Sequence, residues 1–358
     1  MPHLLLAVTA HGYGHLAQCS PVVEALSQRV PGLRITLQSD IDPGFARYRL
    51  PPGITHRQES TDPGFLMDGP LVTRWRESLA AYCDFESTYD RHLARQTTTL
   101  RDLAPDLVLA DIPWLPLEAA RRLGIPAVGL CSFTWYDILL ECPLRDQVPA
   151  AILEHLRRVY TQTDLFICPA PALPMDWLPQ AQHVGPIARR RPDRGAELRE
   201  RFGCPADRPL ALMQFGGFEG LDPLQDWPEQ DQVHWVVHDL KGRQRRDASA
   251  LADHGIDLLD VLGSVDLILA KPGYGSYAEA ACNGVPMLHA PRADWPETVV
   301  LNRWLSAQVP TRELSLVDLV AGRVAASIAE LLAAGRPTPI EPSGIEESAD
   351  LLEPLLQR

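Results

Sequence analysis

Short apolar runs alternate with helically spaced apolar positions along almost the whole chain. Leu4–Val8 reads as a strand, Ala17–Arg29 as a helix and Leu33–Leu37 as a strand. Leu100–Leu103 closes a helix, Leu107–Ala110 is a strand, Pro116–Leu123 a helix and Ala127–Leu130 a strand. Such alternation is the pattern of parallel βαβ units. The run Leu107-Val-Leu-Ala110 is apolar on both faces, which fits a strand covered by helices on each side.

The stretch from His183 to Arg194, rich in Pro and Arg, breaks this rhythm and carries no periodic apolar face, so it is expected to link two domains. Beyond it the same alternation returns. Leu210–Gln214, Val233–Val237, Val265–Leu269 and Pro286–His289 read as strands, Ser276–Asn283 and Val317–Ala334 as helices, and Gly216-Gly217 as a turn. The expected division is 1–186, 187–340 and a C-terminal segment, 341–358, whose amphipathic helix can cross back onto the first domain. No internal repeat is visible at the level of residues. Two doubly wound parallel sheets in tandem place the carboxyl ends of their strands at a shared cleft, where ligands of open α/β sheets bind.

A chain of 358 residues is long enough for two cores, and 46% hydrophobic with 22% charged residues is ordinary globular composition. The balance of 33 Lys+Arg against 46 Asp+Glu, a net charge of −13, argues against nucleic acid or anionic lipid as a partner bound through bulk charge. Seven cysteines stand apart at 19, 83, 131, 142, 168, 204 and 282, with neither the spacing of a zinc site nor that of a disulfide framework. The N-terminus runs directly into a strand and no apolar run reaches the length of a membrane span, so the expectation is a cytoplasmic protein without a transmembrane segment.

Four places carry candidate chemistry. The run from Asp266 to Ala280 takes a strand through Gly273-Tyr-Gly-Ser276 into a helix with Glu279 in its second turn; unpaired amides at that helix start can hold a diphosphate while Glu279 faces a ribose. An ordinary βα turn has the same pattern, and the spacing is not the GxGxxG fingerprint. The first strand ends in His11-Gly-Tyr-Gly-His15, and a histidine there can take a proton from a hydroxyl or simply cap a helix. Asp111, at the end of Leu107–Ala110, can orient such an imidazole or cap the next helix near Pro113. Asp294 and Glu297 follow the strand Pro286–His289 and can accept from sugar hydroxyls, or be solvated loop charges. Arg189-Arg190-Arg191 reads as a solvated charge run, and Trp75, Tyr82, Phe85 and Tyr89 as core rather than as a stacking surface for a ligand. There is no GxSxG elbow, no Walker A loop and no DxD after a strand in the first half, so a metal site is not expected.

Taken together these segments resemble the GT-B glycosyltransferases, in the branch with the bacterial lipid II N-acetylglucosaminyl transferase, the plant and macrolide UDP-sugar transferases and the glycosyltransferase-like half of arabinokinase-type proteins. The resemblance spans nearly the whole chain. It rests on His11-Gly-Tyr-Gly-His15 with Pro21-Val-Val-Glu-Ala-Leu26, on Leu107-Val-Leu-Ala-Asp111, on Val184-Gly-Pro-Ile187 and, most specifically, on Lys271 to Ala280 with Gly284-Val-Pro-Met287. It implies two Rossmann-like domains facing a cleft and a metal-independent, inverting transfer from a nucleotide sugar, UDP-linked by preference, with no cofactor. His15, in the Gly-His position immediately before the first helix, would be the base in preference to His11, which competes for that role, and Asp111 its orienting partner, with His11 and Gly14 in the acceptor loop. Gly273, Tyr274, Gly275 and Ser276 would hold the diphosphate beside Gly216 and Gly217, Glu279 the ribose, and Asp294 and Glu297 the sugar.

The chain departs from the plant pattern His-Cys-Gly-Trp-Asn-Ser at Lys271-Pro-Gly-Tyr-Gly-Ser276, and has Asp294-Trp-Pro-Glu297 in place of an Asp-Gln pair. The partners implied are a nucleotide-sugar donor and a small-molecule or lipid-linked acceptor; the acidic composition disfavours lipid II. A non-hydrolysing sugar-nucleotide epimerase and a non-catalytic nucleotide-sugar binder are the alternatives.

Overall fold

The computed structural model describes residues 1–215 and 222–357; the turn expected at Gly216-Gly217 lies outside them. In the N-terminal half the strands are β1 (His3–Val8), β2 (Arg34–Gln38), β3 (Thr55–Arg57), the short antiparallel pair β4 (Met67–Asp68) and β5 (Val72–Thr73), then β6 (Leu107–Asp111), β7 (Ala127–Leu130), β8 (Leu165–Pro169) and β9 (Ala181–Val184). All but β4 and β5 form one parallel sheet in the order β3-β2-β1-β6-β7-β8-β9. Strand order reverses between β1 and β6, which opens a crevice at their carboxyl ends.

Every residue of β1 is buried. Leu5 and Ala7 pack with Val108 and Tyr82 on one face, whereas Leu4, Leu6 and Val8 pack with Leu16 and Val22 on the other. Alternation with a period of two sends successive side chains into the two helical layers, and each fully buried leucine stabilises the fold by about 1.5–3 kcal/mol.

The C-terminal half repeats this plan with β10 (Leu210–Gln214), β11 (His234–Val237), β12 (Ala248–Ala250), β13 (Leu267–Ala270), β14 (Met287–His289) and β15 (Thr311–Glu313) in the order β12-β11-β10-β13-β14-β15, all parallel. Its crevice lies between β10 and β13. Both halves are therefore Rossmann-like doubly wound α/β units, and their switch points face each other.

Helix boundaries differ from the sequence expectation where glycine decides them. The first helix runs Gly14–Arg29 and so carries His15 in its first turn. The stretch Val317–Ala334 is two helices, Leu316–Ala321 and Ala325–Ala334. Gly322, at φ 68°, ends the first in the left-handed region, and a Cβ there would meet the Trp227 ring at 2.9 Å.

The last helix, Gly344–Leu356, lies against Gly14–Arg29 of the N-terminal half, burying Ala349, Leu352 and Leu356 with Leu16 and Leu26. Arg29 pairs with Glu346 and with Asp350, but these carboxylates are exposed. Exposed pairs contribute little, so the buried apolar face holds the helix there. Arg189, Arg190 and Arg191 are not free in solvent: they pair with Glu24, Glu341 and Asp260, tying the connecting segment down. No helix among the described residues is long and apolar enough to cross a membrane.

Candidate active site

A cavity of about 820 Å³ lies between the two sheets, lined from β1's exit loop and the helix Gly14–Arg29 on one side and from the segments after β10, β13 and β14 on the other. On the N-terminal wall, His15 Nδ1 stands 2.8 Å from Asp111 Oδ1, a contact between residues 96 apart in sequence. Asp111 is fully buried and accepts a second bond from the Cys19 thiol at 3.3 Å. With Nδ1 held by the carboxylate, a proton taken from a ligand can be received only at Nε2. Burial opposes the imidazolium, but Asp111, supported by Glu297 and Asp62, outweighs it and holds the pKa of His15 above the usual histidine value.

His11 is placed differently. Its Nδ1 lies 3.0 Å from the Phe65 carbonyl, and its ring stacks on Trp295 at 5.3 Å. Burial, together with His15, Arg292 and Lys271, pushes its pKa well below the usual value. Its Nδ1 faces a backbone carbonyl, whereas that of His15 faces a carboxylate. Gly14 opens the first helix, and a Cβ there would meet nothing within 4 Å.

On the opposite wall the helix Tyr274–Asn283 starts at Gly273 with no side chain capping it, so its first amides open toward the cavity. Gly275 faces Ala17 of the first helix, with 3.9 Å between its would-be Cβ and that of Ala17. Ser276 Oγ accepts from Gln214 Nε2 at the end of β10. The Tyr274 hydroxyl is spent on the connection between the halves, accepting from Ile187 N and donating to the Ala170 carbonyl. Glu279 faces Arg49 Nη1 at 3.6 Å, an ion pair that bridges the two halves; burial raises its pKa, and Arg49 works against that rise.

Glu297 is buried and accepts from Ser132 Oγ at 2.7 Å, again across the cleft. Asp294 is not among the residues lining the cavity: its carboxylate accepts from Thr73 N at 3.0 Å, on β5 of the N-terminal half. The loop after β14 turns Arg292 into the cavity instead. Gly216 and Gly217 fall outside the described residues.

Four contributors escaped the sequence reading. Asp62 accepts from Thr9 Oγ1 and Trp135 Nε1 behind His15, and burial raises its pKa to about 6. Lys271, first residue after β13, is driven down to about 7 by burial and by Arg292. Arg292 is itself lowered to about 10 by burial. Arg49 comes from the helix Pro43–Arg49, in a segment without any motif. Only Lys271 carried a sequence signal, as the charged substitute inside the glycine motif. Among the described residues, one group of side chains is spaced closely enough to hold a metal ion: His15, Asp111 and Cys131, with ligand atoms within 4.8 Å of one another.

Comparison with known proteins agrees with this architecture. No family model matches the chain. It is 26% identical over 231 residues to an uncharacterised glycosyltransferase of Methanopyrus kandleri, covering 58% of this chain and 64% of that protein. It is 23% identical over 331 residues to the L-arabinokinase of Arabidopsis thaliana, covering 90% of this chain and 31% of that protein. The chain thus spans under two thirds of each of these relatives.

Among solved structures it superposes on the glycosyltransferase of kitacinnamycin (TM-score 0.60, 17% identity, 99% of this chain and 95% of that one). It also superposes on the calicheamicin glycosyltransferase CalG4 (0.59, 19%, 100% and 99%). A third is Phytolacca americana UGT2, solved with UDP-2-fluoro-glucose and pterostilbene (0.58, 16%, 100% and 94%). The chain has the GT-B fold of glycosyltransferases.

Proposed function

We propose that this chain is a glycosyltransferase that moves a sugar from a nucleotide diphosphate donor, with UDP-sugars preferred, to a hydroxyl of an acceptor by direct, inverting displacement. One observation carries the donor half. The cations Arg49, Lys271 and Arg292 line the cavity together with the helix start at Gly273, and desolvated cations are complementary to an anion. The uncapped helix at Gly273 adds fixed amide dipoles to the same demand.

In the reaction, His15 Nε2 takes the acceptor proton as the hydroxyl oxygen attacks the anomeric carbon, while the bond to the diphosphate breaks. Asp111 holds the ring by Nδ1 and stabilises the imidazolium that forms. The departing diphosphate gains charge; that the helix start at Gly273, Lys271 and Arg292 line the same cavity supports their meeting it. Those cations support a mechanism in which no metal is needed at the leaving group.

The test is a thermal-shift panel of UDP-, TDP- and GDP-sugars, followed by turnover with and without His15→Ala. A donor at 100 times its dissociation constant stabilises the protein by about 2.7 kcal/mol, and loss of a general base costs about 10²–10⁴ in rate. No shift with any donor refutes the reading. Undiminished turnover by His15→Ala refutes the catalytic assignment, and turnover sensitive to a chelator refutes the metal-independent one.

A second reading is favoured by Asp62 and Glu297, which together with Asp111 surround His15 with three buried carboxylates. Of the three, Glu297 lines the cavity, and extra carboxylates near the cleft are what a non-hydrolysing sugar-nucleotide epimerase would need. It predicts an epimerised nucleotide sugar when the protein and donor are incubated without any acceptor.

A further inference from the structure

Two contacts across the cleft show how its ends match. The Tyr48 hydroxyl accepts from Leu259 N at 3.4 Å, joining the segments after β2 and β12, while Ser132 donates to Glu297, joining those after β7 and β14. The helix start at Gly273, after β13, lies between these two ends in the strand order. His15 belongs to the second end, with its ring edge-on to Phe133 at 5.6 Å. An acceptor hydroxyl must therefore reach the β7–β14 end of the cleft.

There the protein has filled the ground beyond His15 with its own rings. Trp295, in the loop after β14, is 3% exposed and is part of the N-terminal core, although it comes from the C-terminal half. Its indole stacks on His11 at 5.3 Å and on Trp75 at 6.0 Å, and Phe65 and Phe133 meet it edge-on at 5.5 and 5.9 Å. The exchange is mutual. Leu71, between β4 and β5, packs against the core of the C-terminal half, and Asp294 accepts from Thr73 N beside it. Among the described residues, the stretch 50–131 contributes nothing to the lining of the cavity, so the space at His15 does not extend under the N-terminal sheet's helices.

We propose that Trp295 is a specificity-determining residue that closes the acceptor side, and that the acceptor is a small, hydroxyl-rich molecule of the sugar or polyol class. The assignment rests on the transferase reading above. A planar aglycone or a lipid chain is held through buried apolar area, at about 25 cal/mol per Å², and here the rings that could supply it are spent on one another. Binding falls instead to hydrogen bonds, and His15, Ser132, Lys271 and Glu297 line this end of the cavity. The parallel rings of His11 and Trp75 leave a slot of indole shape, which a planar aglycone would enter only with the Trp295 side chain gone.

The experiment follows product formation by mass spectrometry with the full chain, the donor that gives the largest thermal shift among UDP-, TDP- and GDP-glucose, and two acceptor sets. One set is glycerol, glucose and N-acetylglucosamine; the other is 2-naphthol, quercetin and farnesol. The wild type is expected to transfer to the first set and not to the second. In Trp295→Ala, kcat/KM for 2-naphthol relative to that for the small acceptors is expected to rise at least about tenfold, as burial of one aromatic ring implies. Trp75→Ala opens the same slot from the N-terminal half and serves where Trp295→Ala does not fold.

Transfer by the wild type to 2-naphthol, quercetin or farnesol overturns the acceptor class, and so does a failure to use any of the small acceptors while the donor binds. An unchanged ratio in folded Trp295→Ala and Trp75→Ala overturns the role of Trp295. Absence of any donor-induced shift refutes the nucleotide-sugar reading, an outcome distinct from all of these.

Discussion

The two walls of the cleft differ in how far the protein completes them by itself. On the N-terminal wall, His15, Asp111, Cys19 and Asp62 find their partners within the chain: 2.8 Å from imidazole to carboxylate, 3.3 Å from thiol to carboxylate, and two donors on Asp62. On the C-terminal wall the helix start at Gly273 carries no side-chain cap and the Arg292 cation stacks on Trp295 with Nε and Nη2 lacking an acceptor, while on the N-terminal side Gln18 Nε2 and Arg49 Nε are likewise unmatched. The first arrangement is set before any ligand arrives, as a base that must already have the right tautomer requires.

Breaking the completed wall has the largest expected effect. Asp111→Asn keeps the shape but removes the charge, so the rate of sugar transfer is expected to fall about 10²–10⁴-fold. The pH profile checks the cause. The base must be neutral, so transfer declines as the pH falls through the raised pKa of His15; without Asp111, the first-ranked attraction opposing its desolvation, this acid limb moves to lower pH. An acid limb that stays in place would separate Asp111 from His15.

The bridge between the walls comes next. Arg49→Met removes the ion pair with Glu279 and a cation from the cavity lining. UDP affinity is expected to drop about tenfold, the loss of one charged hydrogen bond, with much less change in the rate at saturating donor. Equal loss in the rate would place Arg49 on the reacting side instead.

The smallest effect belongs to Asp62→Asn. Asp62 raises the pKa of His15 less than Asp111 or Glu297 does, so the acid limb is expected to move down by less than in Asp111→Asn. Stability offers a second check. Because folding raises the pKa of Asp62 from 3.8 to about 6, the folded state holds its proton longer than the unfolded one. Stability attributable to Asp62 is therefore greatest below about pH 4 and is lost as the pH rises toward about 6, and Asp62→Asn should flatten urea-denaturation midpoints over that window.

Much of this frame is legible in the chain. Leu4–Val8 and Leu107–Ala110 are apolar on both faces and are central strands, and glycine before a helix marks both cleft loops. His15 and Asp111 sit at the carboxyl ends of adjacent strands, β1 and β6, because parallel pairing aligns Val8 with Asp111. Asp294 shows where reading stops. Its position after a strand points to a cleft, yet its carboxylate turns to the backbone of β5, some two hundred residues earlier in sequence, and Arg292 takes the cavity face. A loop side chain is directed by the distant neighbours that satisfy it, and no local period encodes those. The break at Gly322 was hidden for a related reason, since an apolar period continues across a glycine whose turn is demanded by Trp227.

By itself, then, the sequence determined two doubly wound α/β units, the strand ends that face a cleft, and the residue types available there, because periodicity and turn chemistry act over a few residues. Only the tertiary structure decided which donors and acceptors meet: His15 with Asp111, Glu279 with Arg49, Asp294 with Thr73, and Arg292 with no protein acceptor at Nε or Nη2. Those pairings depend on desolvation and charge at positions brought together from both halves of the chain.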